Sequence, residues 1–245
     1  VLLPFSKYIV KLVLKLIPVT EDEKHENLDV KYIDDRMIET PSIAVGNAFL
    51  EIKEMANYAK ESVQYAIEGI LNNSREEVEK TFEMEKKVNQ IQRQLLAFLV
   101  KLSKESLNED ERNKVTNLIY AVNDIERISD HGENIAELGR DLINENLSLS
   151  EHAEDEIREI YNLAINNFTD SMKCLEEINL QLRKQVHENE RQVDLLEIGY
   201  RNHHLQRLND GKCTVDSGVI YFDILNNLER ISDHSKNIAD YSYDI

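Results

Sequence analysis

The sequence predicts an all-α protein built from two tandem three-helix bundles, and three observations support this prediction. Its 245 residues include only 3 prolines and 7 glycines, so long helices can run without interruption. No segment shows the sustained alternation of apolar and polar residues that is typical of a strand. The segment ERISDHxxNIA occurs twice, at residues 126–136 and 229–239, which indicates a duplication.

The net charge of the chain indicates which kinds of molecule it can bind. Asp and Glu number 47 against 29 Lys and Arg, which gives a formal net charge of −18. Binding to nucleic acid depends on clustered Lys and Arg that release counterions from phosphates, so we predict no nucleic-acid partner. A strongly negative protein instead attracts cations. The two cysteines, Cys174 and Cys213, form no CxxC pattern and fit a reduced cytosolic setting.

The first 40 residues differ from the rest of the chain. Residues 1–18 are largely apolar, and their three lysines recur at i, i+4 and i+8, which places them in one stripe on a helix. The run is shorter than the roughly 20 apolar residues that cross a bilayer. It fits the end of a membrane helix, an interfacial helix or an amphipathic helix packed on the domain. We predict the first of these, and we interpret residues 19–40 as a polar linker.

Apolar residues at helical spacing predict six helices after residue 40. Their expected bounds are about 41–72, 75–105, 109–146, 151–183, 185–209 and 215–243. Ser74 followed by Glu77 has the pattern of a capping box. Asn108 and either Ser148 or Ser150 are expected to cap the third and fourth helices.

The doubled segment divides these helices into two repeats, at residues 41–147 and 148–245. An offset of 103 residues superimposes the two copies, and a weaker match at an offset of 105 aligns EKKVN with ERQVD on the preceding helices. Each repeat therefore contains three helices. We expect the buried faces to include Ile43 on the first helix and Val219 on the sixth.

The repeated segment places oxygen-bearing side chains in rows, because residues four apart lie one above the other on a helix. Each copy gives two carboxylates and one amide: Glu126, Asp130 and Asn134 in the first, and Glu229, Asp233 and Asn237 in the second. Asn123 and Asn226 lie beside these rows. The sequence therefore predicts two polar rows on or near the surface.

The helix before each row carries a parallel pair, Glu85 with Asn89 and Glu190 with Asp194. If these helices are neighbours, each half presents three or four carboxylate or amide oxygens at one place. Like charges four residues apart repel by a few tenths of a kcal/mol in water, and by more when they are brought together. A bound cation removes that repulsion. Ligation by oxygen alone suits hard cations such as Mg²⁺, Ca²⁺, Mn²⁺ or Fe³⁺.

Simpler interpretations stay open for the same residues. Arg127 and Arg230 would offset the acids as surface ion pairs worth roughly 0–1 kcal/mol. His131 and His234 follow the Asp of each motif, and they lie either at the edge of a metal site or in a capping or packing position. Neither histidine has the Glu-x-x-His spacing of di-iron bundle enzymes, which argues against oxygen-activating chemistry.

In these residues the sequence resembles the PhoU family, whose members are two repeats of a three-helix bundle with E(D)xxxD motifs. The matching pairs are Glu126 with Asp130, Glu229 with Asp233, and Glu190 with Asp194. In the remaining pair, Asn89 stands where the family pattern has Asp. The resemblance covers about residues 41–245.

The resemblance implies that these carboxylates bind metal ions or multinuclear clusters and that the protein regulates phosphate uptake. The metal it implies is Fe, Mn, Mg, Ca, Ni or Zn. We expect the second half to hold the metal more tightly, because its carboxylate set is complete.

Members of the family occur in two arrangements. Stand-alone members act with an ABC-type phosphate transporter and a sensor kinase, whereas others are C-terminal cytoplasmic domains of sodium-dependent phosphate transporters. The lysine-bearing start of the chain and the segment HLQRLNDGKC at residues 204–213 resemble the second arrangement.

We therefore expect a non-enzymatic regulatory domain at the cytoplasmic face of the bacterial inner membrane. A phosphate transporter membrane domain in the same polypeptide would be its partner, and residues 1–18 would lie close to the membrane. A homodimer is a further expected association. The other hypotheses are a stand-alone PhoU-like regulator, a carboxylate-bridged metalloenzyme and a purely structural bundle.

Overall fold

A computed structural model describes residues 30–242, which form one short 3₁₀ helix and six α-helices. The 3₁₀ helix spans Asp35–Glu39, and the α-helices are α1 (Pro41–Leu71), α2 (Arg75–Leu102), α3 (Glu109–Glu145), α4 (Glu151–Glu176), α5 (Leu180–Asn209) and α6 (Val215–Asp240). No strand occurs between residues 30 and 242. The all-α prediction is therefore confirmed.

The start of the chain was expected to be the end of a membrane helix, but residues 1–18 lie outside the described part. Within that part, none of the helices combines the length and the apolar character that a membrane crossing needs. The segment interpreted as a linker contains the 3₁₀ helix, and it also contacts α1, where the backbone N–H of Tyr32 donates to Glu51 Oε2 at 2.8 Å.

Side chains at the helix starts fix several of these boundaries, as expected from the sequence. The hydroxyls of Ser74 and Ser150 accept backbone N–H groups in the first turns of α2 and α4. The capping box predicted at Ser74 is half formed, because the backbone N–H of Ser74 donates to the carbonyl oxygen of Gly69 and not to Glu77. Asn108 and Glu111 form a complete capping box at the start of α3. Pro41 occupies the first turn of α1, where its missing N–H leaves no helical hydrogen bond unmade.

The predicted boundary between the fourth and fifth helices is wrong. The sequence suggested a break near 183–185, but α4 ends at Glu176 and α5 begins at Leu180. Glu177 is extended, with φ −146° and ψ 145°. The side chain of Asn179 accepts the backbone N–H of Leu182 at 3.0 Å and caps α5. The local preference of Asn for this position therefore sets the break.

Each repeat is a bundle of three helices that all contact one another: α1, α2 and α3 in the first, and α4, α5 and α6 in the second. The two bundles meet mainly where α3 packs against α6, with a smaller contact between α1 and α4. One continuous apolar core runs through both bundles. In α3, Ile125, Ile128 and Ile135 are completely buried, as are their counterparts in α6.

Two residues that were expected on buried faces are exposed. Ile43 is 57% exposed and Val219 is 56% exposed. Each lies next to a buried small residue, Ala44 or Gly218, that faces the neighbouring helices instead. Adjacent residues are about 100° apart around a helix, so only one of each pair can point into the core.

α3 approaches α1 closely at Gly132. A Cβ atom at this position would lie 2.9 Å from Ser62 Oγ and 3.2 Å from the backbone nitrogen of Val63. Because one of these neighbours is backbone, a side chain here would have to move α1 as a whole. Gly132 therefore sets the distance between the two helices that form the centre of the first bundle.

We expect Gly132→Ala to lower the free energy of unfolding by about 1–3 kcal/mol, because the added methyl group pushes α1 and α3 apart. Gly199→Ala is the matched control, since Gly199 lies in α5 with open space around the position of a Cβ atom. Alanine there should raise stability by roughly 0.5–1 kcal/mol. Urea unfolding measures both variants, and equal effects would contradict the close packing of α1 on α3.

Candidate metal centre

The predicted rows lie on α3 and α6, and the predicted pairs lie on the adjacent helices α2 and α5. We call the first group the first acidic seam, and it consists of Glu85, Asn89, Glu126, Asp130 and Glu133. The second acidic seam consists of Glu190, Asp194, Glu229, Asp233 and the basic residue Lys236. Each seam is formed within one repeat.

In the first seam, three carboxylates from two helices converge. Glu85, Asp130 and Glu133 can each offer an oxygen atom, and these atoms lie within 4.8 Å of one another. Glu85 is buried and the other two are half-buried. Glu133 was not among the predicted ligands. Its position three residues after Asp130 places it on the same helix face, and that spacing was the available signal.

The second seam brings together the oxygens of Glu190, Asp194 and Asp233, again within 4.8 Å of one another. Here, however, the ammonium group of Lys236 binds the carboxylate of Glu190. This hydrogen bond raises the pKa of Lys236, so the lysine stays charged. At the offset of 103 residues, Lys236 occupies the position that Glu133 has in the first seam.

Arginines on the motif helices also neutralise the two seams unequally. In the first seam, Arg127 Nη1 is 3.9 Å from the nearest oxygen of Asp130. In the second seam, Arg230 Nη1 is 3.2 Å from Asp233 Oδ2 and donates a hydrogen bond to it. The first seam therefore has weaker internal compensation than the second.

Three of the predicted ligands lie beside the two convergent trios instead of within them. Glu126 and Glu229 are half-buried and lie one turn before Asp130 and Asp233. Asn89 donates its side-chain N–H to Glu85, so it holds the buried carboxylate in place. The structure thus combines Glu85 and Asp130 as predicted and adds Glu133 to them.

Burial and mutual repulsion disfavour the ionised form of the carboxyl groups in the first seam. Burial raises the pKa of Glu85 to about 7, and the neighbouring Glu133, Asp130 and Glu126 add to this rise. Burial is also the main cause of the raised pKa values of those three neighbours. A divalent cation bound among these oxygens would oppose both effects.

The four amides that were expected at the edges of the sites, Asn123, Asn134, Asn226 and Asn237, are exposed. Asn123 donates to the carbonyl oxygen of Ile119 in its own helix at 3.0 Å. Asn134 donates to Asn227 Oδ1 across the contact between the repeats at 3.3 Å.

His131 and His234 lie side by side where α3 meets α6, with ring centroids 5.5 Å apart and ring planes 29° apart. Nδ1 of His131 is 2.9 Å from Asn227 Oδ1, and Nδ1 of His234 is 2.6 Å from Asp124 Oδ1. Each histidine is therefore held by a residue of the other repeat, which fits the packing interpretation. Asp124 and Asn227 were missed from the sequence, although the offset of 103 residues pairs them.

Stability of the metal-free protein should fall as the pH rises from about 4.5 to about 7. The pKa of Glu85 is raised from 4.5 to about 7 in the fold, so the folded state binds the proton more tightly over this interval. Glu85→Gln should flatten this dependence and raise the free energy of unfolding at pH 8 by about 1–2 kcal/mol, since one pKa unit corresponds to roughly 1.4 kcal/mol.

Urea unfolding in the presence of a chelator, repeated across this pH interval, measures the effect. Glu83→Gln is the matched control, because Glu83 is exposed on the same helix, and it should change stability by less than roughly 0.5 kcal/mol. If Glu85→Gln keeps the wild-type pH dependence, the surroundings of Glu85 do not raise its pKa in the folded protein.

Comparison with known proteins adds a family assignment to this geometry. A family model described as the PhoU domain matches residues 52–139 and 157–242, one match in each repeat. The chain is 18% identical over 236 residues to the putative inorganic phosphate export protein YjbB of Salmonella typhimurium, and the match covers 94% of this chain and 42% of that protein. The chain thus spans less than half of that relative.

A second relative is the phosphate-specific transport system accessory protein PhoU homolog 1 of Thermotoga maritima. It is 22% identical over 192 residues, which cover 78% of this chain and 82% of that protein. The solved structure of PhoU from Pseudomonas aeruginosa matches with a TM-score of 0.74 at 19% identity, covering 80% of this chain and 94% of that one.

The phosphate transport system regulatory protein PhoU from Streptococcus pneumoniae gives the same TM-score at 17% identity, covering 83% of this chain and 95% of that one. At these identities the structural likeness shows the fold, and it confirms the predicted duplicated bundle.

Proposed function

The chain belongs to the PhoU family, and from that premise we propose that it regulates phosphate transport by binding partner proteins and without catalysing a reaction. The observation that carries this proposal is the match of the PhoU domain to both repeats. The names of the similar proteins, which refer to phosphate transport or export, support the same process.

The leading arrangement is a free-standing regulator that acts on a separate phosphate transport system. The similarity to the Thermotoga accessory protein extends over 82% of that protein, and the two solved PhoU chains are covered to 94% and 95%. This order differs from the sequence-based expectation, which placed a sodium-dependent transporter first. The second arrangement, a regulatory part of a membrane phosphate transporter, is favoured by the match to the Salmonella export protein.

For the metal, we propose that the first acidic seam binds one hard cation through Glu85, Asp130 and Glu133. The support is a converging set of oxygen ligands that is half-buried and poorly compensated by its arginine. The cation would supply the positive charge that this seam lacks and would tie α2 to α3. In the second seam, Lys236 and Arg230 already supply positive charge. We therefore now expect the first seam to bind the cation more tightly.

Loss of the protein should raise phosphate uptake in cells grown on ample phosphate, because a regulator of this kind restrains its transporter. Uptake of radiolabelled phosphate in a deletion strain, with and without the restored gene, measures this. Unchanged uptake together with an unchanged response to phosphate starvation would contradict the proposed function. A variant with Gly199→Ala is a suitable complementation control, because a Cβ atom at that position meets no other atom within 4 Å.

The size and location of the native product separate the two arrangements. A free-standing regulator should appear in the soluble fraction, with a mass too small to include a membrane domain beside the 28.5 kDa of this chain. A product that is much larger and stays in membranes after an alkaline wash would instead identify a transporter with a regulatory part.

Titration of the metal-free protein with Mn²⁺ should reveal one strong site per chain. Glu85→Gln combined with Asp130→Asn should abolish it, because two of its three ligands lose their charge. Lys236→Gln should add or strengthen a second site, because it releases Glu190. Calorimetry and elemental analysis after dialysis measure the stoichiometry.

The matched control for the lysine is Lys173→Gln, which removes an exposed lysine that pairs with Asp170, and it should leave the stoichiometry at one. Two Mn²⁺ sites of equal affinity in the wild-type protein would contradict the proposal that Lys236 weakens binding at the second seam. A protein that binds no Mn²⁺, Mg²⁺ or Fe²⁺ at either seam would sink the metal proposal while leaving the regulatory one intact.

A further inference from the structure

The loop between α5 and α6 brings a cysteine against a buried histidine. Cys213 is partly exposed in this loop, whereas Cys174 is completely buried. Sγ of Cys213 lies 3.6 Å from Nε2 of His204, within the range of a hydrogen bond to sulfur. The same Sγ lies 4.0 Å from the carbonyl oxygen of His204. Neither the proposed regulation nor the acidic seams make use of this pair.

The ring of His204 is fixed from several sides. It is 2% exposed, stacks on Tyr221 with ring centroids 5.0 Å apart, and meets Phe222 edge-on at 5.2 Å. A Cβ atom at position 218 would lie 2.5 Å from Nε2, so Gly218 is what leaves room for the ring. The nitrogen that faces Cys213 is therefore held in position before any reaction takes place.

At pH 7 the neutral form of His204 is favoured, which leaves one ring nitrogen with a lone pair. Burial lowers its pKa, the charge of Arg207 lowers it further, and the more distant carboxylate of Glu156 opposes the shift. The neutral ring has a lone pair, and Cys213 can donate its S–H to it. Nδ1 is buried and has no hydrogen-bond partner among residues 30–242. The pair thus lacks the third, orienting residue of a hydrolytic triad.

The titratable groups that act on His204 are Arg207 of α5 and Glu156 of α4 through their charges, and Tyr221 of α6, whose ring stacks on it. Glu156 is occupied by three donors: Arg207 Nη2 at 2.7 Å, the hydroxyl of Tyr221 at 2.6 Å and Nδ1 of His203 at 3.0 Å. It is therefore not free to accept the proton of Cys213. His204 is the base with a direct contact to the thiol.

We propose that Cys213 is a reactive thiol that is oxidised by peroxides, with His204 as its base. Nε2 of His204 takes the proton from the thiol, and the sulfur attacks one oxygen of hydrogen peroxide. An S–O bond forms and the O–O bond breaks. The leaving hydroxide takes the proton back from the imidazolium and becomes water. The sulfur is oxidised by two electrons to a sulfenic acid, and the peroxide is reduced by two electrons.

This chemistry suits a modification site better than an enzyme. The oxygen is added to a sulfur that lies 3.6 Å from Nε2 of the buried ring of His204. Cys213 lies two residues before the start of α6, the helix that carries Glu229 and Asp233. Oxidation therefore acts first on the loop and on the position of His204. It does not depend on metal binding or on the phosphate-related function.

The test is the rate at which Cys213 reacts with hydrogen peroxide at pH 7, followed by trapping of the sulfenic acid with dimedone and mass spectrometry of the peptide. We expect Cys213 in the folded protein to react about tenfold faster than in the urea-unfolded chain, where the histidine is no longer beside it. His204→Gln should reduce the rate about tenfold. His203→Gln removes the adjacent, exposed histidine and should leave the rate unchanged.

Equal rates for the wild-type protein and His204→Gln, or equal losses from both histidine variants, would overturn the proposal. Circular dichroism shows whether each variant is folded. If His204→Gln does not fold, the test rests on the rates at which Cys213 reacts in the folded and in the urea-unfolded wild-type chain. A folded protein whose Cys213 reacts no faster than the unfolded chain overturns the assignment.

Discussion

The packing of α3 against α6 is the contact on which the rest of the molecule depends. These are the two helices that carry the repeated segment, and their packing is the main contact between the two bundles. The polar part of the contact is reciprocal, since His131 is held by Asn227 and His234 by Asp124. This contact takes up one face of each motif helix. The carboxylates lie on another face, so each row meets the preceding helix of its own repeat.

The duplication provides an internal comparison within one chain. The backbone and the core positions are retained in both copies, but some polar positions have changed their charge. Asp124 corresponds to Asn227, and Glu133 corresponds to Lys236. Both changes leave the second copy less acidic at these positions. The same framework therefore presents a weakly compensated group of acids in the first repeat and a more strongly compensated group in the second.

Much of the fold could be predicted because it depends on local patterns. The spacing of apolar residues gave six helices, and caps such as Asn108 gave several of their boundaries. The break before α5 was missed because Asn179 acts over one turn, whereas the apolar periodicity continues across it. The rows on α3 and α6 followed from the four-residue spacing alone.

The remaining features of the site depend on contacts between helices. That Glu85 meets Asp130 requires α2 to lie beside α3, and the repeat only suggested this. Glu133 and Lys236 each lie three residues after the Asp of the motif, and residues three apart share a helix face. The prediction considered only residues four apart and therefore omitted them. The pairing of His234 with Asp124 joins residues of different repeats, and no spacing along the sequence could have predicted it.

The contrast between the seams bears on the two interpretations of the acidic motif. If the acids were ordinary surface ion pairs, the nearby arginine should bind them closely in both copies. Arg230 does so at 3.2 Å, and Lys236 adds a second positive charge, so ion pairing describes the second seam well. In the first seam Arg127 stays at 3.9 Å from Asp130, and a third acid, Glu133, occupies the position of Lys236. Burial raises the pKa of acids in both seams, and it raises the pKa of Glu85 to about 7. A fold that keeps this cluster half-buried with only weakly paired positive charge loses stability. Such a loss of stability is typical of a binding site, and a cation bound in the first seam, as we propose, would compensate for it.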